Sequence, residues 1–287
     1  MAEIVVFGAG GMLGTDLILE LNRRGAAVAG FTRMQCDITD RQQCARILSD
    51  EQPSVVINCA AYTNVNGAET ETGAAFDTNA RGAENVARAC ASIDARCIYL
   101  STDYVFDGSK HEPYTEEDSP APLNVYGKSK LEGERLTSAA CRDAHCIVRT
   151  SWLYGKHGRN FVSTMLQLAR KGSPVRVVND QRGCPTSTLT LARALAQLIQ
   201  SPATGIVHAA CEGECTWYDF ACEIFDMSGL RPVEIIPIST LDFPTPASRP
   251  SNSRLESRRL SSLGVDPLPD WRVALREYIG TLELERC

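Results

Sequence analysis

The chain has 287 residues, of which 44% are hydrophobic and 22% are charged, and its formal net charge is −6. This composition excludes a disordered chain and predicts a packed core, either as one α/β unit or as a core domain with a smaller appendage. The acidic balance, without a basic stripe, argues against nucleic acid as a partner.

The N-terminal stretch MAEIVVFGAGGMLG has neither the basic start nor the cleavage site of a signal peptide. No apolar run reaches the length of a membrane span, so we expect a cytoplasmic protein without membrane contact. The twelve cysteines are dispersed and form no C-x-x-C pair. Cys211, Cys215 and Cys222 have a spacing compatible with a metal cluster, but only His208 lies near them. We therefore expect reduced, structural cysteines and no metal.

Strands and helices alternate along the first half of the chain. The predicted strands are EIVVFGA, AAVAGFTR, SVVINCAA, RCIYLSTDYVF and HCIVRTSWLYG. The predicted helices are TDLILELNRRG, DRQQCARILSDEQP, GAAFDTNARGAENVARACASID and YGKSKLEGERLTSAAC. Because the strands are apolar on both faces, they predict a doubly wound parallel sheet of the α/β Rossmann class.

The alternation loosens after Gly155. Three further helices are predicted at NFVSTMLQLARKG, TLTLARALAQLIQS and TWYDFACEIFDMSG, and two strands at PVRVVND and GIVHAA. The Pro-rich stretch FPTPASRPSNS predicts an irregular loop. We expect part of this half to return to the main sheet and the rest to cover its C-terminal edge.

A glycine-rich turn, FGAGGMLG, follows the first strand and opens the first helix. Gly8, Gly11 and Gly14 have G-x-x-G-x-x-G spacing, with Gly10 in addition. Glycines allow positive φ and close approach to a pyrophosphate, and the helix N-terminus supplies N–H donors and positive potential. The context predicts a dinucleotide site, and the alternative is a merely tight turn.

Cofactor preference depends on the end of the second strand, in GFTRMQCDITD. An acidic residue there binds ribose hydroxyls, whereas a basic one accommodates a 2′-phosphate. Arg33 therefore predicts a preference for NADPH, with NADH as the second choice. Asp37 and Ile38 are weaker candidates beside the adenine, and Asp37 has an alternative role at a helix start.

The candidate chemistry begins where the fourth strand ends, at Thr102 and Asp103, since open α/β sheets bind ligands at this edge. Tyr126 and Lys130 follow on the next helix and are one turn apart. A carbonyl reductase needs a proton donor, and a nearby ammonium is expected to lower the phenol pKa by roughly three units, or about 4 kcal/mol. Lys130 can also hydrogen-bond the cofactor ribose. The alternative for this pair is a solvated helix face.

These motifs together resemble the extended short-chain dehydrogenase/reductases that modify nucleotide sugars, and more closely the dTDP-4-dehydrorhamnose reductases. The resemblance extends from the first glycines to near Trp271, and SWLYG, DQRGCPT and RPSNSRL are its most specific blocks. The other matching segments are STDYVFDG, APLNVYGKSKLEGE, NFVSTML, TWYDFA and LPDW.

The resemblance implies NAD(P)H-dependent reduction at C4 of dTDP-4-dehydro-β-L-rhamnose, the last step of dTDP-L-rhamnose synthesis. It implies an NAD(P)-binding Rossmann domain over 1–150, with segments around 174–210 returning to it, and a smaller substrate-binding lobe from the rest of 151–287. It further implies Tyr126 as proton donor, Lys130 as its partner and Thr102 as the residue that tunes the proton transfer. The implied cofactor contacts are Gly11, Met12, Leu13, Asp37, Ile38, Ala61, Tyr62 and Thr63, and the implied sugar-nucleotide contacts are Thr102, Asp103 and Trp152.

Three further side chains have two interpretations. Tyr104 is placed to reach the ligand or to pack. Arg249 and Arg254 flank the Pro-rich loop, where one of them is expected to bind the diphosphate or to fix the loop. We count Tyr104 and Arg249 among the candidate substrate contacts.

Two departures from the family pattern stand out. NVNGAE, with Asn66 and Gly67, replaces the AVDKAE common in the family, which affects sugar binding. Leu189 stands where some members carry a glutamate for a magnesium-bridged dimer, so we predict no magnesium there. The oligomeric state stays open, with a homodimer among the options. The alternatives in function are another nucleotide-sugar epimerase or reductase, and a non-catalytic regulatory subunit of the methionine adenosyltransferase type.

Overall fold

The computed structural model of the chain describes residues 2–230 and 234–283. The strands are β1 (Ile4–Phe7), β2 (Val28–Phe31), β3 (Val55–Asn58), β4 (Arg96–Thr102), β5 (His145–Thr150), β6 (Leu153–Tyr154), β7 (Val175–Val178), β8 (Arg182–Gly183), β9 (Thr186–Ser187), β10 (Gly205–His208), β11 (Cys215–Thr216) and β12 (Ile235–Ile238). The helices are α1 (Met12–Arg23), α2 (Arg41–Glu51), α3 (Val65–Ala68), α4 (Thr72–Phe76), α5 (Ala83–Ala91), α6 (Val125–Ala140), α7 (Phe161–Arg170), α8 (Thr188–Leu198), α9 (Trp217–Ser228) and α10 (Trp271–Glu283).

Six strands form the central sheet in the order β10-β5-β4-β3-β1-β2, and all neighbouring pairs are parallel. All four residues of β1 and of β3 are buried. Burial on both faces explains their continuous apolar sequences, because helices cover each side of the sheet. The prediction of a doubly wound α/β Rossmann sheet is confirmed.

The helix predicted over GAAFDTNARGAENVARACASID is not one continuous α-helix. It consists of α4, a π-helical segment over Asp77–Gly82, and α5. Gly82 faces Ile38 so closely that a Cβ would lie 2.8 Å from the isoleucine side chain. The wider π-turn also directs the fully buried Asn79 toward polar partners, which periodicity alone does not reveal.

The second half divides its strands between the main sheet and smaller pairs. β10 joins the main sheet beside β5, as expected of a returning segment. β7 instead pairs in parallel with β12, so the predicted return of 174–210 holds for β10 and not for β7. The domain boundary near residue 150 stays a prediction. Cys287 and the end of the predicted 151–287 segment lie outside the described residues.

Helix α6 is fixed at its start by two side chains. Asn124 accepts a hydrogen bond from the backbone N–H of Gly127 at 2.7 Å, and its amide donates to the Ser248 carbonyl at 2.8 Å. Glu69 accepts from the N–H of Val125 at 2.8 Å. These caps satisfy otherwise unpaired donors in the first turn, which is the turn that carries Tyr126.

None of the helices in residues 2–230 and 234–283 has the length and apolar character needed to cross a membrane. The eleven cysteines in the same ranges are free thiols, nine of them buried and two half-buried.

Candidate active site

One cavity of about 1020 Å³ opens at the carboxyl edge of the central sheet. It runs from the glycine-rich turn after β1, past the ends of β3 and β4, to Trp217 at the start of α9. Nearly all the candidate residues line it. They are Gly8, Gly11, Met12, Leu13, Gly14, Arg33, Asp37, Ile38, Ala61, Tyr62, Thr63, Thr102, Asp103, Tyr104, Tyr126, Lys130 and Trp152.

The turn between β1 and α1 has the shape of a phosphate cradle. Gly8 has φ +76°, and a Cβ there would lie 2.5 Å from the backbone nitrogen of Ala60, so only glycine fits. Gly11 is the N-cap of α1 and supplies no capping side chain, which leaves the first amides of the helix directed at the cavity. Unpaired N–H groups at a helix N-terminus bind anions, so this turn fits a dinucleotide pyrophosphate.

Arg33 and Asp37 lie together at the far end of the same cavity. The Arg33 Nε donates to Asp37 Oδ2 at 3.3 Å, and the Arg33 side chain is 84% exposed. Asp37 also accepts from Thr39 N–H at 3.0 Å and Thr39 Oγ1 at 2.8 Å, and these hydrogen bonds lower its pKa. Asp37 therefore combines a cavity-lining position with a local turn-fixing role.

Tyr126 is a half-buried phenol in the first turn of α6, and its ring meets that of Tyr104 edge to face, with centroids 6.0 Å apart. Burial raises the pKa of Tyr126 to about 12, while interaction with the Thr102 hydroxyl acts in the lowering direction. This result differs from the lowered pKa expected from the sequence. Loss of solvent around the phenolate outweighs the Thr102 hydroxyl, and the Asp103 carboxylate acts in the same raising direction as burial.

Lys130 lies one helical turn after Tyr126 and is almost fully buried, with 2% of its surface exposed. Its Nζ donates to the Leu100 carbonyl at 2.5 Å and lies 4.0 Å from the centroid of the Tyr99 ring. Burial lowers the pKa of Lys130 to about 7, opposed by the carboxylate of Glu134. The cation is therefore costly to hold at this position, which is typical of functional lysines.

Thr102 and Asp103 end β4 inside the cavity. The Thr102 hydroxyl donates to Asp103 Oδ1 at 3.0 Å and accepts from the N–H of Tyr104 at 3.2 Å. Burial raises the pKa of Asp103 to about 7, against the hydroxyls of Ser253 and Thr102, which lower it. A short helical turn over Asp103–Val105 follows, and Thr102 and Asp103 both interact with the phenol of Tyr126.

An aromatic pair closes the other end of the cavity. Trp152 has φ +46°, a strained value for a tryptophan, and its indole stacks on Trp217 with centroids 3.5 Å apart and an interplanar angle of 4°. Its N–H donates to Ser253 Oγ at 3.2 Å. A Cβ on Gly183 would overlap the Trp152 ring, so the glycine permits this orientation. Such a flat surface suits a sugar or a base.

Arg249 lies outside the lining of this cavity. Its guanidinium donates to Thr245 Oγ1 at 2.5 Å, to the Ala247 carbonyl at 3.1 Å and to Asn66 Oδ1 at 3.1 Å. These bonds fix the loop, and the guanidinium also interacts with the phenol of Tyr104, which lines the cavity, so the role of Arg249 as a substrate contact stays a prediction. Arg254 similarly donates to Asn252 Oδ1 at 2.9 Å.

Sequence reasoning missed Asn79 and Trp217 as site residues. Asn79 accepts from the N–H of Tyr62 at 2.8 Å and donates to the Tyr62 carbonyl at 3.0 Å and to Ser129 Oγ at 2.9 Å, so it ties a cavity loop to α6. The signal in the sequence for Asn79 was an amide side chain within a predicted helix. Trp217 lay within TWYDFA, a segment already recognised as matching the family.

Within the described ranges, no group of three or more His, Cys, Asp or Glu side chains is arranged to hold a metal ion.

The chain matches the model of the RmlD substrate binding domain over residues 1–284. It is 43% identical over 279 residues to a dTDP-4-dehydrorhamnose reductase of Mycobacterium tuberculosis, covering 95% of this chain and 91% of that protein. It is 40% identical to the spore coat polysaccharide biosynthesis protein SpsK of Bacillus subtilis, covering 97% of both.

Solved structures agree with these matches. A dTDP-4-dehydrorhamnose reductase of Bacillus anthracis, in complex with NADP, is 38% identical with a TM-score of 0.94, and the match covers 98% of this chain and 100% of that one. A UDP-glucose 4-epimerase of Thermus thermophilus, 21% identical over 98% of both chains with a TM-score of 0.83, shares the fold. The chain therefore belongs to the RmlD family, whose members include the dTDP-4-dehydrorhamnose reductases.

Proposed function

We propose that the protein reduces the C4 keto group of dTDP-4-dehydro-β-L-rhamnose to the alcohol of dTDP-L-rhamnose, using NADPH, as the last step of dTDP-rhamnose biosynthesis. One observation carries the proposal: a single cavity joins the glycine turn to Thr102, Tyr126 and Lys130 and to the tryptophan pair. The names of the relatives, including one in spore coat polysaccharide biosynthesis, support it and point to use of the product in polysaccharide synthesis.

The glycine turn holds the cofactor. NADPH, when bound, supplies the hydride for the reduction. The backbone N–H groups of Met12 and Leu13 bind the pyrophosphate at the start of α1, since a helix N-terminus attracts anions. Asp37, Ile38, Ala61, Tyr62 and Thr63 line the rest of the cofactor region.

Arg33 provides the preference for NADPH, because its guanidinium lies at the end of β2 and is free to turn from Asp37 to a 2′-phosphate. We expect Arg33→Ala to lower the ratio of kcat/KM for NADPH over NADH at least about tenfold, the loss of roughly one charge-assisted hydrogen bond. Arg23→Ala, on the exposed end of α1, is the matched control. An unaltered ratio in Arg33→Ala would contradict this role.

Tyr126 donates the proton to the C4 oxygen. Its raised pKa keeps the phenol protonated at neutral pH, so the donor is loaded before the reaction. Thr102 stabilises the phenolate that forms, because its hydroxyl interacts with the Tyr126 oxygen. Lys130 lies one helical turn from Tyr126, and its positive charge opposes the build-up of negative charge on the phenol.

The sugar nucleotide lies between the catalytic group and the tryptophan pair. The sugar is contacted by Thr102, Asp103 and Tyr104. Trp152 contacts the sugar or the base with its indole ring, which is flat and apolar and has an N–H at its edge. Arg249 holds the Pro-rich loop to Asn66 and interacts with the phenol of Tyr104, which lines the cavity.

The test supplies dTDP-glucose with an upstream dehydratase and epimerase, adds NADPH, and follows both nicotinamide absorbance and dTDP-rhamnose formation. We expect wild type to consume one NADPH per product. Tyr126→Phe is expected to lose about 10²- to 10⁴-fold in kcat, the usual contribution of a general acid, with little change in NADPH binding. The control is Tyr218→Phe on the outer part of α9, which should keep the wild-type rate. Equal rates for wild type and Tyr126→Phe would refute the mechanism.

The same assay separates the alternatives. An epimerase would regenerate its cofactor, so absorbance would not fall in step with product. A regulatory subunit would show no turnover and would form a stable complex with an enzyme. A homodimer and a cytoplasmic location remain predictions, to be checked by sedimentation and by cell fractionation.

A further inference from the structure

A buried ion pair lies behind the catalytic helix. Arg149 on β5 donates from Nε to Glu134 Oε1 at 2.9 Å and from Nη2 to Oε2 at 2.7 Å. The side chains are 1% and 6% exposed, respectively. A buried ion pair is often no more stabilising than apolar residues of the same size, so its presence calls for a reason beyond stability.

Glu134 is also joined to the strand that carries the candidate catalytic threonine. Ser101 Oγ donates to Glu134 Oε1 at 2.5 Å. One turn earlier on α6, Lys130 Nζ donates to the carbonyl of Leu100 at 2.5 Å. Two side chains of α6 thus bind two consecutive residues of β4, immediately before Thr102, so they fix α6 relative to the end of β4.

Glu134 also affects the charge at Lys130. Residues four apart on a helix share a face, and the Glu134 carboxylate favours the protonated form of Lys130 against the effect of burial. The other titratable groups facing Lys130 are the Cys59 thiol after β3 and the Tyr99 phenol on β4. Tyr126 lies one turn away on the same helix. Among these neighbours, Glu134 is the carboxylate.

We propose that Glu134 is a positioning residue of the active site: clamped by Arg149 and Ser101, it docks α6 on β4 and supplies the carboxylate that keeps the Lys130 ammonium in place one helical turn from Tyr126. The proposal rests on the proposed reductase function. It predicts that loss of the Glu134 charge alters the pH range of activity, whereas loss of the Ser101 bond alone lowers the rate without changing that range.

Glu134→Gln alone leaves Arg149 buried without a counter-ion, which can prevent folding. The informative variant is therefore the double substitution Glu134→Gln with Arg149→Met, which removes both charges. Ser101→Ala removes one hydrogen bond and keeps the ion pair. The control is Glu132→Gln with Arg135→Gln, an exposed pair on the same helix.

The measurement is kcat and kcat/KM between pH 5.5 and 9.5, with NADPH affinity from nicotinamide fluorescence. For the double variant we expect the alkaline decline of kcat/KM to begin about one pH unit lower, with kcat reduced at least about tenfold and NADPH affinity within about twofold of wild type. Ser101→Ala should reduce kcat, while the alkaline decline of kcat/KM begins at the same pH as in wild type. The proposal is overturned if the folded double variant has the wild-type pH range, or if the control shifts as much.

An inactive wild type would refute the proposed reductase function. The role of Glu134 would then be tested by the pH dependence of the unfolding free energy. Because Lys130 loses its proton at a lower pH in the folded double variant, its unfolding free energy should begin to rise with pH about one unit earlier than that of wild type. Parallel curves would overturn the proposal without any activity measurement.

Discussion

Lys130→Met tests whether the buried ammonium is held at a cost to stability. Methionine has a similar length and no charge, and the position is 2% exposed. Burial lowers the pKa of Lys130 from 10.5 to about 7 in the folded protein. Since each pKa unit corresponds to about 1.4 kcal/mol, the protonated lysine costs the folded state up to about 5 kcal/mol at low pH.

The sign of the pH dependence follows from proton counts. Between about pH 7 and 10.5 the unfolded chain keeps the Lys130 proton while the folded protein releases it, so the unfolding free energy rises with pH. From pH 7 to 9 wild type should gain about 2.3 kcal/mol relative to Lys130→Met, because the folded lysine is still half protonated at pH 7. The variant is therefore expected to be the relatively more stable protein at pH 7 and to lose about half of that advantage by pH 9.

The assay is urea unfolding, followed by tryptophan fluorescence, of both proteins at pH 7, 8 and 9. The other titrating groups, including the buried thiols, are present in both proteins and cancel in the difference. In the coupled assay the same variant should lose at least about 10²-fold in kcat, since it lacks the charge one helical turn from Tyr126. If the difference in unfolding free energy stays constant across this pH range, the lysine is not held at a lowered pKa and the reasoning fails.

Two further substitutions test the ends of the cavity. Gly8→Ala should lose about 1–3 kcal/mol of unfolding free energy in a urea titration and should bind NADPH more weakly, because the added Cβ meets the Ala60 backbone. The control is Gly25→Ala, which has the same φ of +76° but no atom within 4 Å of the added Cβ, and it should lose less unfolding free energy. Equal losses of unfolding free energy in the two variants would show that the contact with the Ala60 backbone has no effect. Trp217→Ala removes the stack on Trp152, worth about 0.5–1.5 kcal/mol, and should raise KM for the sugar nucleotide about three- to tenfold without changing KM for NADPH. An unchanged sugar-nucleotide KM would place the ligand elsewhere.

Short-range patterns were sufficient for much of the fold and for the candidate residues. A strand, a glycine turn and a helix are adjacent in the chain, so Gly8 and Gly14 could be placed at a helix N-terminus from spacing alone. Tyr126 and Lys130 share one helix face for the same reason. The carboxyl ends of parallel strands meet at one edge, which is why Thr102 could be assigned to the same cavity as the glycines.

Interactions between distant segments were beyond such patterns. Trp217 meets Trp152 across 65 positions of the chain, and Arg249 turns to Asn66 instead of lining the cavity. The pairing of β7 with β12, rather than with the main sheet, depends on a partner 60 residues later. Apolar periodicity reports that a segment is buried but not against what, so it cannot select among such partners.

The amino-acid sequence by itself determined the order of strands and helices, the cofactor turn and the identity of the catalytic candidates, because each depends on residues close together in the chain. Only the tertiary structure decided how those residues ionise. Tyr126 has a raised pKa and Lys130 a lowered one because packing removes the water that would stabilise their charges. Desolvation is set by every element that surrounds a side chain, and no local run of residues encodes it.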